Sequence, residues 1–222
     1  MNEYTTGEYF NDQGRHTEDS EYKIKAVSPL LKGRSIRTVA DVGCGSGAIA
    51  ELLSRDFEVT GYDLGPHVES IPFKGAKFVR GDFTEVGTDV DLITMFDVFE
   101  HVPDPEGFIA SCSHKARYML FHIPLDDTWL NSFRDSYRAK LSHPGHLIFL
   151  TPTAALNIVA RAGLRTIDYC YSPAFRYPSG RRSLAAKVAG VPREIMYSVS
   201  PWLAARTLGN VSLAVLAETP RR

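Results

Sequence analysis

The amino-acid sequence predicts an α/β fold, a doubly wound and mostly parallel sheet. Three observations carry that reading. Short β-branched runs alternate with segments of helical spacing, the pattern of strand–helix–strand units. The run "VDLITMFDV" (90–98) is apolar nearly throughout, as a strand covered on both faces must be. The stretch "VADVGCGSGAIAELL" (39–53) sets three glycines between a strand-like run and a helix-like one, where such folds turn the chain beneath a ligand.

In chain order, "RTVADVGC" (37–44) reads as the first strand and "AIAELLSR" (48–55) as the helix after it. "FEVTGYD" (57–63), "AKFVRGDF" (76–83) and 90–98 are the second, third and fourth strands. "PDPEGFIASCSHKA" (103–116) opens with proline and acids, a good helix start. "RYMLFHIPL" (117–125) is a fifth strand. In "TPTAALNIVARAGL" (151–164), Thr151 can cap a helix that Pro152 begins and Gly163 ends. "RTIDYCYS" (165–172) and "NVSLAVLAE" (210–218) are the last two strands. Between them 173–209 is long and mixed, with no crossover helix like the earlier ones, which points to an antiparallel finish.

The chain has 222 residues, 44 % apolar and 23 % charged, so it can bury a sizeable core. We expect one domain over 1–222, with an N-terminal cap segment at 1–30, a lid-like insertion at 126–143 and a basic insertion at 173–209. A formal net charge of -1 creates no field for nucleic acid. No run is long enough to span a bilayer, and the acidic N-terminus lacks a signal-peptide core. Cys44, Cys112 and Cys170 are scattered and read as reduced, so a cytoplasmic protein is expected. Neither CxxC nor HExxH spacing occurs, and no metal site is expected.

Gly43, Gly45 and Gly47 let the backbone turn sharply and approach a ligand closely. Asp63 ends the second strand, twenty residues after Gly43, where a carboxylate can accept from ribose hydroxyls. Asp82, between Gly81 and Phe83, ends the third, where it can accept from an exocyclic amine beside an apolar wall. Three strand ends of this kind point together to a nucleoside. Gly43, Gly45 and Ala48 also satisfy the GxGxxG/A spacing of dinucleotide enzymes, so the nucleotide stays open on these residues alone.

The motifs "VADVGCGSG", "VTGYD", "FVRGDF" and above all "DLITMFDVFEHVPDP" resemble those of class I S-adenosylmethionine (SAM)-dependent methyltransferases of the small-molecule type, with "GHLIFLTP" (145–152) fitting as well. The resemblance covers about residues 37–170 and extends to the seventh strand. It implies a Rossmann-like sheet of seven strands, the last antiparallel. It implies that Asp41 and the loop Gly43, Cys44, Gly45, Ser46 and Gly47 hold the methionine part of SAM. Asp63 would take the ribose with Leu64 beside the adenine, Gly81, Asp82 and Phe83 would flank the adenine, and Phe96 and Asp97 would lie near the methyl group.

For the acceptor, His146 and His101 are the candidate bases or substrate contacts, and His122 reads as a hydrogen-bonded core residue. His143 brackets the same loop as His146. In 126–143, Trp129, Phe133 and Tyr137 fall on one face of a helix that Asp126 or Asp127 can cap, a packed face or an aromatic wall over the acceptor. By analogy with the family, Tyr9, Arg15 or His16 could touch SAM. The basic stretch with Arg176, Arg181, Arg182, Lys187 and Arg193 is a solvated face, a cap for an anionic acceptor, or a homodimer contact. The expected activity is methyl transfer from SAM to a small molecule, at oxygen or nitrogen rather than carbon. Two rivals are an NAD-dependent oxidoreductase and a non-catalytic SAM-binding subunit. The first lacks a YxxxK signature at Tyr118, Tyr137, Tyr171 and Tyr177.

Overall fold

The computed structural model describes residues 13–72, 74–142, 145–181 and 183–220. Its centre is one seven-stranded sheet in the order β3-β2-β1-β4-β5-β7-β6. The strands are β1 (Thr38–Val42), β2 (Glu58–Asp63), β3 (Lys77–Arg80), β4 (Val90–Phe96), β5 (Ala116–Pro124), β6 (Arg165–Ser172) and β7 (Ser212–Glu218). Six fall within the predicted runs, and β5 begins one residue before its own. β1 to β5 pair in parallel, and β7 lies antiparallel between β5 and β6. The strand order reverses between β1 and β4, and in doubly wound sheets ligands bind outside that point.

The helices are α1 (Gln13–Leu31), α2 (Ala48–Leu53), α3 (Phe83–Val86), α4 (Pro105–Ser113), α5 (Trp129–Phe133), α6 (Tyr137–Ser142), α7 (Pro152–Arg161), α8 (Leu184–Val199) and α9 (Pro201–Thr207). Side chains of opposite parity along each strand enter two cores, as the pleat dictates. On one face Ile93, Met95, Met119, Phe121 and Val215 meet Ile109 of α4, Val159 of α7 and Ala204 of α9. On the other Leu92, Phe96, Leu120 and Leu216 meet Val27 and Leu30 of α1 and Ile49 and Leu53 of α2. β4 and β5 are buried nearly end to end, which is why they read as continuous apolar runs.

Local chemistry sets the boundaries. Thr151 Oγ1 accepts from the Ala154 amide at the start of α7, and Gly163 turns the chain after it at φ 87°. Asp104 caps α4 in the same way through the Gly107 amide. Two predictions need correction. The segment 126–143 is two short helices, because Asp135 takes a left-handed φ of 49° between them, and the cap is Thr128 rather than Asp126 or Asp127. The stretch 173–209 does contain helices, α8 and α9, and Ser200 ends one and caps the next. α8 leaves Leu184, Val188, Ile195 and Val199 facing solvent. Arg176 of this stretch is paired with Glu194, and Arg193 donates to backbone carbonyls of Ala189 and Leu208. His143 and Arg182, and the side chains of Tyr9, Arg15 and His16, lie outside what is described. Among the described residues, no helix is long and apolar enough to cross a membrane.

Candidate functional site

The turn after β1 is built on left-handed backbone. Gly43, Gly45 and Gly47 have φ of 72°, 52° and 77°, a region costly for residues with a Cβ. The amides of Gly43 and Cys44 both donate to the Tyr62 carbonyl of β2, at 2.8 and 3.1 Å, which folds the loop across the sheet end. A Cβ on Gly43 would stand 2.7 Å from Val98, just past β4, and one on Gly47 would stand 2.7 Å from the Phe78 ring. The loop therefore sits directly over the β1–β4 switch point. Cys44 is buried, and burial pushes its thiol far up, so it is a filler rather than a nucleophile. Ser46 is half-buried on the loop.

Asp41 lies beneath the loop, buried at 2 % exposure, and accepts from the Thr94 hydroxyl at 2.7 Å. Burial, reinforced by the nearby Asp63, raises its carboxyl to about 7, while the Thr94 hydrogen bond and Lys23 pull the other way. Asp63 accepts the Gly45 amide on Oδ2 at 2.9 Å and the Gly65 amide on Oδ1 at 2.8 Å. A carboxylate has about four acceptor positions, so two remain for other donors. Beside it Leu64 is 60 % exposed, an apolar side chain at a strand end with nothing of its own core to cover. His67 binds the Gly45 carbonyl through Nε2 at 2.9 Å and fixes the same loop from the other side. These features fit a nucleoside held at its ribose, with an apolar surface for the base.

The third strand end differs from the expectation. The Gly81 amide donates to the Asp63 carbonyl, which ties the two strand ends together. Asp82 is the cap of α3, and its Oδ1 accepts from the amide and hydroxyl of Thr84 at 2.8 and 2.7 Å. The Phe83 ring is not a pocket wall. It is 2 % exposed, edge-on to Tyr62 and beneath Lys115, because its direction from α3 points it into the core.

At the end of β4, Asp97 is held at φ 56° as a hub of charge. Lys23 of α1 donates to Oδ2 at 2.6 Å, and His122 Nδ1 meets Oδ1 at 2.7 Å. Burial works against the carboxylate, but the charges of Lys23 and His122 outweigh it and hold Asp97 well below the usual carboxylate range. His122 Nε2 continues to Tyr177, which bonds Ser172, and Phe96 stacks on the His122 ring. His122 is thus a buried, fully hydrogen-bonded histidine, as expected. The sequence reading missed Lys23 as the partner of Asp97, because nothing in α1's spacing marks it out from Lys25.

A second cluster lies one turn further on. Glu100 and His101 stand in a 3₁₀ turn, Phe99–His101, and His146 on the loop before α7. The Leu147 amide donates to the Glu100 carbonyl at 2.8 Å, and His101 Nδ1 meets the Gly145 carbonyl at 3.1 Å, which binds the two segments together. The rings of His101 and His146 are 4.9 Å apart, edge to face. His146 Nδ1 meets Asp126 Oδ2 at 2.7 Å, and Lys140 Nζ meets Asp126 Oδ1 at 2.8 Å. Burial opposes the Asp126 charge, but His146 and Lys140 prevail and hold its carboxyl low. Burial pushes His101 down. Glu100 is 1 % exposed, and burial with the charge of Asp97 raises its carboxyl well above the usual range. The structure thus brings together both candidate histidines, with Asp126 and Glu100 that sequence reasoning had not placed there. Glu100 was quoted within "FEHVPDP", but a glutamate beside a histidine in a turn gives no sign of burial.

The segment expected to be lid-like contributes Asp126 and Lys140 to this cluster. Trp129 and Phe133 stack on each other at 5.5 Å and are both exposed. Tyr137 turns away from them to Phe149 and donates its hydroxyl to Asp127. The predicted three-residue aromatic face is therefore a pair plus a tethered tyrosine.

A glycine turn over the switch point of a 3-2-1-4-5-7-6 sheet, with an acid at the end of β2 bound to that turn, defines a doubly wound α/β protein with its ligand site at the carboxyl ends of the strands. Its residues 15–169 match a family described as "Methyltransferase domain". The chain belongs to the class I SAM-dependent methyltransferase family. Among curated relatives, it is 29 % identical over 184 residues to the ubiquinone biosynthesis O-methyltransferase of Pasteurella multocida, covering 68 % of this chain and 76 % of that one. It is 30 % identical over 115 residues to the protein of the same description from Nitrosomonas europaea, covering 43 % of this chain and 46 % of that one. The chain therefore spans about half the length of several of the relatives it matches. Solved structures with the same fold include a SAM-dependent methyltransferase from Archaeoglobus fulgidus, at TM-score 0.64 and 19 % identity, covering 96 % of this chain and 99 % of that one. Another is magnesium protoporphyrin IX methyltransferase from Synechocystis with bound S-adenosylhomocysteine, at 0.58 and 13 %, covering 96 % and 97 %.

Proposed function

We propose that the protein transfers the methyl group of SAM to a hydroxyl oxygen of a small aromatic molecule. The observation that carries this reading is the buried Asp126–His146 pair beside Glu100 and His101, a few residues past the end of β4. The curated relatives, described as O-methyltransferases, support oxygen over nitrogen. Their place in ubiquinone biosynthesis supports a hydroxylated ring as acceptor.

Bound SAM would supply a methyl group on a cationic sulfur. The chain's residues do the rest. Asp63 accepts from the ribose hydroxyls on its two remaining acceptor positions, and Leu64 lies against the base. Asp41 and the backbone of Gly43, Cys44, Gly45, Ser46 and Gly47 receive the methionine end. Asp97, fixed by Lys23 and His122, holds the end of β4 rigid next to Phe96. A hydroxyl is a poor nucleophile until it loses its proton, and a positioned base contributes about 10²–10⁴-fold. In His146 the Asp126 carboxylate occupies Nδ1, so Nε2 is the atom that takes the proton. His101, pushed down by burial, stays neutral beside it and serves as a contact.

The test is transfer of isotope-labelled methyl from SAM to a panel of catechols, monophenols, aliphatic alcohols and amines. Label appearing in the phenolic ethers supports the reading. Label confined to amines, or to no acceptor while SAM binds, overturns it in favour of N-methylation or of a binding subunit.

A further inference from the structure

Helix α8 carries an apolar stripe on the side away from the body. Leu184, Val188, Val191, Ile195 and Val199 fall at helical spacing on one face, with exposures from 58 % to 78 %. The opposite side holds α8 in place. Met196 and Tyr197 pack on the core, the Tyr197 hydroxyl donates to the Tyr171 carbonyl at 2.8 Å, and Arg193 Nε donates to the Leu208 carbonyl at 3.2 Å. Of the sixteen residues of α8, none is buried. Each branched aliphatic side chain left in water forgoes about 1.5–3 kcal/mol that full burial would give. Five of them in one row mark a contact surface.

The order of the stripe is symmetric. Leu184 and Val199 are equally distant from the midpoint between Val191 and Pro192, and so are Val188 and Ile195. A two-fold contact between copies needs this property, because residue i of one copy meets residue j of the other and j meets i. Laid antiparallel on a second copy, Leu184 faces Val199, Val188 faces Ile195 and Val191 faces Pro192. Charge follows the same order. Lys187 and Glu194 lie on one flank of the stripe, and in an antiparallel pair like flanks face each other. Lys187 of one copy then comes within two residues of Glu194 of the other, about 3 Å along the axis, once on each side of the midpoint. Arg176 already meets Glu194, whose carboxylate has acceptor positions left for a second cation. An anionic lipid surface would call for basic residues alone on this flank and for no symmetry.

We propose that α8 is the interface of a homodimer, in which the stripe of one copy packs antiparallel on that of the other. The stripe presents roughly 500 Å² per copy, or about 1,000 Å² for the pair, the lower bound for a specific interface. The dimer is therefore reversible, with a dissociation constant in the micromolar range.

The test is sedimentation velocity of the full-length chain in reducing buffer, from low to hundreds of micromolar. The mass should rise from one chain to two. Ile195→Glu sets a charge against Val188 of the second copy, twice by symmetry, and should weaken association at least about 10-fold. Val86→Glu, at an exposed position of α3, should not. Circular dichroism checks the fold of each variant. Orientation is read by disulfide trapping under mild copper-catalysed air oxidation. Val191→Cys, beside the midpoint, should trap with itself, and Leu184→Cys should trap with Val199→Cys in a mixture but not with itself. A single chain at every concentration overturns the proposal. So does a dimer that Ile195→Glu leaves intact, or one in which Leu184→Cys traps with itself. A single chain that floats with anionic phospholipid vesicles, and loses them in Ile195→Glu, also overturns it and gives the face to a lipid surface.

Discussion

His146 Nδ1 and Asp126 Oδ2 are 2.7 Å apart, and the pair joins two loops that are twenty residues apart in sequence. Asp126 is fixed in turn by Lys140, so the imidazole has one orientation available to it. Asp126→Asn removes the charge and the tautomer control but keeps the shape. It should lower kcat by about 10²-fold, leave SAM affinity unchanged and alter the acid limb of the pH–rate profile. A variant with wild-type kcat would show that His146 needs no orienting carboxylate.

Asp63 holds the glycine turn through the Gly45 and Gly65 amides, and in the proposed function its remaining acceptor positions take the ribose. Asp63→Ala leaves ligand donors unpaired, at about 1–3 kcal/mol, or roughly 5–150-fold in Kd. Calorimetry with SAM checks this. An unchanged Kd in a folded variant removes Asp63 from the site.

Asp41 gives a pH prediction whose sign follows from burial. Its folded-state carboxyl, at about 7, lies above the unfolded value near 3.8, so the native state binds the extra proton. Stability of the ligand-free protein should therefore fall as pH rises from about 4 through 7. Asp41→Asn, which still accepts from Thr94, should flatten that fall, so its Tm relative to wild type rises between pH 5 and pH 8. Parallel Tm curves would show that Asp41 ionises without penalty.

The Lys23–Asp97 pair runs the other way. Its carboxyl is held low, so its contribution is present above about pH 4 and is lost as pH falls. Both side chains are partly exposed, at 21 % and 31 %, which tempers the effect. Lys23→Met should cost about 1–3 kcal/mol at pH 7, and denaturant unfolding should show the gap narrowing toward pH 3. Equal gaps at both pH values would contradict the assignment.

Gly47 tests the loop's backbone. At φ 77°, with the Phe78 ring 2.7 Å from any added Cβ, Gly47→Ala should cost about 1–3 kcal/mol and weaken SAM binding with it. Wild-type stability would mean that the turn tolerates another conformation.

The sheet was legible because each strand's signal is local. β4 shows its two-sided burial in seven consecutive residues, and Thr151, Pro152 and Gly163 mark both ends of α7 within the chain itself. The glycine turn after β1 was legible for the same reason, since glycine spacing encodes positive φ directly. The lid was misread because the aromatic spacing of Trp129, Phe133 and Tyr137 is helical, while Asp135 breaks the helix by a backbone choice that composition does not record. Phe83 was misplaced because a residue next to an acid at a strand end can still point into the core. The histidine cluster was only half legible. Its histidines are visible in the sequence, but the partners that give them chemistry, Asp126 and Glu100, meet them only through the long-range contact between the Phe99–His101 turn and the loop before α7.

The most direct test of the central claim is calorimetric titration of the purified chain with SAM, S-adenosylhomocysteine and NAD. The account predicts binding of SAM and S-adenosylhomocysteine at one site per chain, weaker binding of both in Asp63→Ala, and no heat from NAD. Binding of NAD with none of SAM would contradict it and return the glycine loop to the dinucleotide pattern.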